Sequence, residues 1–271
     1  MTMRLPRISK ILTKRSPYRS VGISWIKEKI IKHDDSQHLK QIHACGEKIN
    51  YKRNEELIHC LKEIFFDGIY TFESKKEMPF IIDCGAHIGM SILNFKQQYP
   101  NARIMAFEPD FTNFEILQKN IENWKFNNIE IFQNPIWSKN EEIIFEASGA
   151  MGGKIANNTT NDKVSLKIRA IKLADLLNNE IDFLKIDIEG AEYEVIKDCK
   201  DKLKFIKNLF VEYHSTFEDQ HKLVEILSII NDAGFNFYIK EANNVFPRPF
   251  MKSKIKTPFD IQLNIFAFRN D

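Results

Sequence analysis

The chain has 271 residues, a formal net charge of +2 and 43% hydrophobic residues. That length holds one α/β domain plus an extension, and so small a charge makes no global electrostatic case for nucleic acid. Four widely spaced cysteines (Cys45, Cys60, Cys84, Cys199) argue against a zinc site or disulfide framework and suit a reducing cytoplasm, and no apolar run approaches the ~18 residues of a membrane span.

Residues 1–24 are basic, with Arg4, Arg7, Lys10, Lys14, Arg15 and Arg19 and no acidic residue. No apolar core follows, so this is not a secretory signal. Two readings stand: a weak contact with an anionic membrane surface or acidic partner, or a flexible, solvated start. Residues 25–78 read as a helical N-terminal extension. Trp25, Ile26, Ile30 and Ile31 recur at helical spacing; Leu57, Ile58, Leu61, Ile64 and Phe65 make a second apolar face, with Asn54 as its cap. The polar stretch from Asp34 to Asn50 receives no element. His33, His38, His43 and His59 fit no metal spacing and read as scattered surface histidines. Ser74 to Pro79 is a linker into the main domain, residues 79–271.

Phe80-Ile-Ile-Asp-Cys-Gly-Ala-His-Ile-Gly89 then reads as a buried strand closed by Asp83, a glycine turn, and a helix with Ile88, Ile92, Leu93 and Phe95 on one face. Strand, glycine turn, helix is how an open α/β sheet receives a nucleotide-like ligand. Gly85 is read as admitting a ligand close to the backbone. His87 stands where a dinucleotide loop needs glycine, and no P-loop run exists. Asp83 has the wrong sign for a pyrophosphate and suits a cationic ligand end, such as an ammonium or sulfonium. Taken alone, the turn serves equally as a packing unit.

Arg103-Ile-Met-Ala-Phe-Glu108 is a second buried strand, and its acidic end lies roughly 20 residues past the turn, where a carboxylate accepts a ribose hydroxyl pair. Pro109 ends it. Asp110 or Thr112 caps a helix over Phe111–Glu122. Asn128–Asn134 is a third strand. Glu142–Glu146 and Val164–Arg169 alternate as a hairpin around a long glycine-rich loop; within it, Ser148–Gly153 are read as folding over a cofactor, and Asn158 opens a formal glycosylation sequon. Ile171–Leu177 reads as a short helix and Ile181–Asp187 as a fourth strand, with a helix opened by Ile188–Glu192. Lys185, Asp187 and Glu189 gather at its carboxyl end; they are either a ligand site or a structural ion-pair network. Asn208–His214 is a fifth strand. His214 at its end is either a general base or a satisfied core histidine. A helix around Leu223–Ile230, strands at Phe235–Lys240 and Ile261–Phe268, and a basic, aromatic loop over Asn243–Lys256 complete the chain.

Asp83-Cys-Gly-Ala-His-Ile-Gly89, Ala106-Phe-Glu-Pro-Asp110 and Phe183-Leu-Lys-Ile-Asp-Ile-Glu-Gly-Ala-Glu192, in this order, resemble the FkbM family of class I S-adenosylmethionine-dependent methyltransferases, over about residues 80–268. The resemblance implies a Rossmann-like, mostly parallel seven-stranded sheet with an antiparallel last strand, and an O-methyltransferase. It implies S-adenosylmethionine bound by Asp83, Gly85, Ala86, His87, Gly89, Glu108, Pro109 and Asp187, with the adenine near Ile136 and Trp137; core packing is the other reading of Trp137. It implies Asp187 and Glu189 as functional residues, beside His214 as the base, while Lys185 is structural. No metal is assigned; a divalent cation on Asp187 and Glu189 is the alternative. The implied acceptor is a hydroxyl of a sugar, surface glycan or related small molecule, or of a macrolide-like natural product. From other classes stand a non-catalytic S-adenosylmethionine-binding module and an NAD-dependent nucleotide-sugar enzyme; the pattern at His87 counts against the latter. A composition rich in Lys, Asn, Ile and Phe suggests a bacterium of low GC content.

Overall fold

Seven short runs of mainly aliphatic and aromatic residues pair into one sheet: Phe80–Cys84 (β1), Arg103–Phe107 (β2), Ile129–Phe132 (β3), Ile181–Ile186 (β4), Ile206–Ser215 (β5), Asn236–Glu241 (β6) and Ile261–Phe268 (β7). In this computed structural model, residues 17–34, 36, 38–146, 154–155, 165–251, 254–255 and 257–270 are described. The strand order is β6-β7-β5-β4-β1-β2-β3. Strands β1 to β5 run parallel, and β7 pairs antiparallel with both β5 and β6. Strand β4 is buried at all six positions, as a strand covered on both faces must be. The order reverses between β1 and β4, which places a crevice at their carboxyl ends.

Upstream of the sheet, Trp25–His33 forms α1, capped by the Ser24 hydroxyl, and Asn54–Cys60 forms α2, which continues as a widened π-type turn to Phe66. Between them the structure departs from the sequence reading. Lys40–Ala44 and Glu47–Tyr51 pair as an antiparallel hairpin, closed by Cys45 and Gly46 with φ of 52° and 77°. Two consecutive positive φ values fit the twist of a tight hairpin. The apolar signal is too sparse to see in sequence, because Ile42–Ile49 is the one aliphatic pair and, apart from Tyr51, the other residues facing across are polar or small.

The hairpin is held by the sheet domain. Asn120 is fully buried on Phe111–Trp124 (α4); it accepts from the Asn50 backbone N–H at 2.7 Å and donates to the carbonyls of Asn50 (3.1 Å) and Ile88 (2.8 Å). Trp124 Nε1 donates to the Lys48 carbonyl at 2.9 Å. Ile31, Ile49, Leu57, Leu61 and Ile64 share one continuous core with Ile81, Leu93, Phe95 and Leu117, so the extension and the sheet bury each other's apolar faces.

Met90–Gln98 (α3) and α4 follow β1 and β2, while Glu192–Cys199 (α5) and Gln220–Asp232 (α6) follow β4 and β5. The Asp110 carboxylate caps α4 by accepting from Asn113 N at 3.0 Å. The short helix read at Ile171–Leu177 is mostly absent. Ile171–Lys172 instead pairs in parallel with Ile136–Trp137, leaving a single 3-10 turn at Leu173–Asp175. Glu142–Glu146 pairs antiparallel with Ser165–Arg169 and with Lys154–Ile155 in a small separate sheet. The Ser148–Gly153 reading, the sequon at Asn158 and most of the basic start lie outside the described residues. Among the described residues, no helix is long and apolar enough to cross a membrane.

Candidate active site

The turn after β1 is built from backbone geometry. Gly85, His87 and Gly89 all have positive φ, at 94°, 50° and 91°. His87 thus takes a conformation that costs a non-glycine residue roughly 1–3 kcal/mol. The N–H groups of Gly85 and Ala86 both donate to the Phe107 carbonyl at 2.9 Å, which ties the turn to β2. A Cβ on Gly85 would stand 1.9 Å from the Asp187 carbonyl oxygen. The Cβ side of Gly85 is therefore filled by backbone from the loop after β4, while Gly85 itself still lines the crevice. A Cβ on Gly89 would meet Leu117 at 2.8 Å, so Gly89 serves the packing of α4 and does not line the crevice.

Asp83 also differs from its reading. It is fully buried, accepts a hydrogen bond from Ser91 Oγ and lies 3.3 Å from Lys185 Nζ. It lies beneath the turn and lines neither cavity. Lys185 Nζ donates to the Gly85 carbonyl at 2.7 Å and pairs with Asp187 Oδ2 at 3.2 Å. Burial alone would lower the pKa of this lysine, but Asp187 and Asp83 outweigh it and raise it. Lys185 is the charged strut that joins β1 to β4.

A cleft of about 680 Å³ opens at the carboxyl ends of β1, β2 and β4. Glu108, Pro109, Pro135, Ile136, Phe145 and Ile188 line it, together with Gly85, His87, Asp187 and Glu189. Glu108 is buried, and its two oxygens accept from His87 N at 2.8 Å and Asp110 N at 2.9 Å. These bonds fix the carboxylate's orientation toward the cleft. Burial raises its pKa to about 7, against the opposing pull of His87 and the two backbone donors. Ile136 and Pro135 offer the apolar wall that a flat heterocycle needs. Trp137 does not line the cleft. Its Nε1 donates to Glu141 at 3.1 Å and its ring packs on the core, so the core-packing reading of Trp137 stands.

A second cavity of about 420 Å³ adjoins the first, and Gly85, His87 and Asp187 line both. Its far wall comes from the N-terminal extension: His59, Cys60, Glu63, Ile64 and Tyr70. No motif in the sequence announced these residues; the i, i+4 spacing of His59 and Glu63, which pair at 3.0 Å, was the only trace. Ala86 lines this cavity, and the His87 ring turns to Glu56 at 3.3 Å. Burial alone would favour the neutral His87 ring, but Cys60 and Glu56 outweigh it and push its pKa up to about 10.

The loop after β4 carries the third motif. Glu189 has φ of 57° and Gly190 of 102°, and the helix begins only at Glu192. Glu192 is fully buried, and its carboxylate accepts from Gly190 N at 3.0 Å and Ile188 N at 3.2 Å. His214, at the end of β5, places Nδ1 3.4 Å from Glu192, and Nε2 3.4 Å from Glu212 and 3.9 Å from Glu189. Burial alone would lower its pKa, but Glu192 and Glu212 raise it well above the usual value. Three carboxylates around the ring favour the imidazolium, an arrangement closer to the carboxylate-bonded histidine reading than to a free base. Burial pushes Glu189 up to about 8 and raises Asp187, each against the attraction of its cationic neighbours. Structure brings Asp187, Glu189 and His214 together with Glu212, which the sequence places at the same strand end as His214, and with Glu192, to which the sequence reading assigns no role in the site.

Tyr193 and Lys197 have the Tyr-x-x-x-Lys spacing of some NAD-dependent enzymes, and their side chains meet at 2.7 Å. They lie on α5, bound to Glu225 of α6, and line neither cavity, so they supply no acid–base pair to the crevice.

A family model described as the methyltransferase FkbM domain matches residues 83–237. The chain is 28% identical over 211 residues to the methyltransferase sdnD of Sordaria araneosa, covering 65% of this chain and 80% of that protein. It is 24% identical over 178 residues to the 2-O-methyltransferase NoeI of Sinorhizobium fredii, covering 58% of this chain and 72% of that protein. Among solved structures, a methyltransferase FkbM from Methylobacillus flagellatus KT superposes with a TM-score of 0.47 at 18% identity, over 73% of this chain. This chain spans 45% of that one.

Proposed function

The chain belongs to the FkbM methyltransferase family, and on that premise we propose that it transfers a methyl group from S-adenosylmethionine to a hydroxyl of a sugar, within a surface glycan or a related small molecule. One observation carries the reading: a single cleft runs from the buried Glu108 carboxylate to Asp187 and Glu189. A ribose acceptor and a set of ionisable groups thus face the same space. The donor set fits this cofactor, since Glu108 is oriented by two backbone N–H groups and Ile136 and Pro135 are apolar.

Glu108 would hold the ribose, Ile136 and Pro135 the adenine, and the turn at Gly85–His87 the amino-acid end. S-adenosylmethionine, when bound, supplies an activated methyl on a sulfonium, so the chain's work is positioning and proton removal. Glu189 is the proton acceptor in this reading, since burial sets its pKa at about 8, close to the working range of a base. His214, protonated between carboxylates, holds Glu189 and Glu212 in place. Lys185 orients Asp187 at the junction of the two cavities.

Transfer to oxygen draws support from the relative named a 2-O-methyltransferase, and a sugar acceptor from aromatic rings on the segments around His214. Phe259 lies 5.0 Å from the His214 ring, and the exposed Phe217 stacks with Phe246 at 5.3 Å. Such faces suit the apolar side of a pyranose. The test is calorimetry with S-adenosylmethionine and with NAD, followed by mass spectrometry of sugar acceptors incubated with the first. Binding of S-adenosylmethionine alone, with a 14-dalton gain on a sugar hydroxyl (the mass of one CH2, about 14), is the expected result. Binding of NAD alone, or methylation on nitrogen or carbon, overturns the reading.

A further inference from the structure

We propose that Asp187, Glu212 and His214 form a divalent-cation site at the junction of the two cavities. Their candidate ligand atoms, one from each residue, all lie within 4.8 Å of one another. In an octahedral site with bonds of ~2.1 Å, neighbouring ligand atoms stand about 3 Å apart and opposite ones about 4.2 Å. The three side chains therefore need only a small closing movement to surround an ion.

The surrounding shell is what separates this cluster from a chance meeting of charges. Glu192 lies behind His214 at 3.4 Å from Nδ1, and it is itself pinned by the N–H groups of Ile188 and Gly190. A carboxylate on Nδ1–H fixes the tautomer and turns Nε2 outward as a ligand. Nε2 faces Glu212 at 3.4 Å. Lys185 grips Oδ2 of Asp187 at 3.2 Å and fixes that carboxylate from below. Two of the three ligands, His214 and Asp187, thus have an orienting partner outside the cluster. Two segments meet here: Asp187 follows β4, while Glu212 and His214 share one face of β5 at i, i+2.

Access is right as well. The Asp187 and Glu212 side chains keep 22% and 15% of their surface, while His214 keeps 5%. Open carboxylates over a buried imidazole leave coordination positions for water or a substrate oxygen. Two carboxylates with one imidazole favour a first-row ion such as Mn2+ over Ca2+, which prefers an all-oxygen shell. Binding displaces the Nε2 proton to solvent.

The site's role rests on the methyl-transfer reading above, although its existence does not. An acceptor hydroxyl on the cation would lose its proton to Glu189 as its oxygen forms the new bond to the methyl carbon. S-adenosylmethionine would supply the methyl, its S–CH3 bond breaking with the electron pair left on sulfur as a neutral thioether.

The probe is Mn2+ alone, titrated into the full-length protein and followed by the loss of its free electron-paramagnetic-resonance signal. About one equivalent should bind in the wild type. Glu212→Gln and Glu192→Gln should each weaken binding by tenfold or more, the second by releasing the imidazole, with circular dichroism confirming the fold. A wild-type titration that leaves all Mn2+ free overturns the proposal without any variant, as does binding that both substitutions leave unchanged. Calorimetry with S-adenosylmethionine on the same wild-type sample separates the two readings. Mn2+ binding without cofactor binding sinks the methyl-transfer assignment and keeps the metal site; the reverse result sinks the site alone.

Discussion

The carbonyl oxygen of Asp187 lies 1.9 Å from the point that a Cβ on Gly85 would occupy. Asp187 N also donates to the Cys84 carbonyl at 3.0 Å, and Lys185 Nζ closes the pair by binding the Gly85 carbonyl. The first and third motifs, about 100 residues apart in the chain, are one physical unit at the switch point of the sheet. Any side chain at residue 85 must push the loop that carries Asp187 and Glu189 away from the cleft.

Gly85→Ala should therefore cost about 3 kcal/mol or more, combining a backbone collision with positive-φ strain. Urea denaturation measures it. A cost under about 1 kcal/mol would show that the two loops separate easily.

Glu108 predicts two opposite pH dependences. Its folded pKa is about 7, above its ordinary 4.5. Between those values the folded protein keeps a proton that the unfolded chain has released, so this group's contribution to stability is full below about 4.5 and falls as pH rises toward about 7. The loss is on the order of 3 kcal/mol, and Glu108→Gln should flatten it in denaturation curves at several pH values. Cofactor affinity should move the other way and strengthen as pH rises through about 7, because the charged carboxylate is the better acceptor for a diol. Glu108→Ala should weaken S-adenosylmethionine by tenfold or more in calorimetry; unchanged affinity would remove Glu108 from the site.

Asn120→Leu should detach the N-terminal hairpin. It removes the partners of the Asn50 N–H and of the Asn50 and Ile88 carbonyls in a fully buried setting, at a cost of roughly 2–4 kcal/mol. Limited proteolysis should then cut first near the Cys45–Gly46 turn. Equal resistance in variant and wild type would mean that the shared apolar core alone holds the hairpin.

Asp182 is fully buried at the start of β4, where it accepts from Phe80 N at 2.9 Å and pairs with Lys76 at 3.0 Å. Asp182→Ala should cost about 3 kcal/mol, since it leaves a buried N–H unpaired and frees the linker into β1. Asp182→Asn should recover part of that. If the two variants melt alike, the hydrogen bond to β1 contributes little.

Much of the architecture was readable in one dimension. The runs at Phe80, Arg103, Ile181, Asn208 and Ile261 are strands because β-branched and aromatic residues are bounded by turn residues, and Asp83, Glu108 and Asp187 mark where those runs stop. The family resemblance, the mostly parallel sheet with an antiparallel last strand that it implies, and acidic residues at strand ends were legible in the motifs, whereas the strand order came from the structure.

What each carboxylate does was decided only in three dimensions. Asp83 and Glu108 look alike in sequence, each an acid at a strand end. Yet Asp83 is shut beneath the turn with Lys185, while Glu108 is held open to the cleft by two backbone donors. His214 reads as a base until Glu192 and Glu212, from a helix start and its own strand, close around it. The second cavity needs His59 and Glu63 from an extension with no signature of its own. Local sequence sets where the chain turns and which face it buries, through steric and apolar periodicity. Charge state and access depend on desolvation and on neighbours distant in the chain, and only the packed fold brings those together.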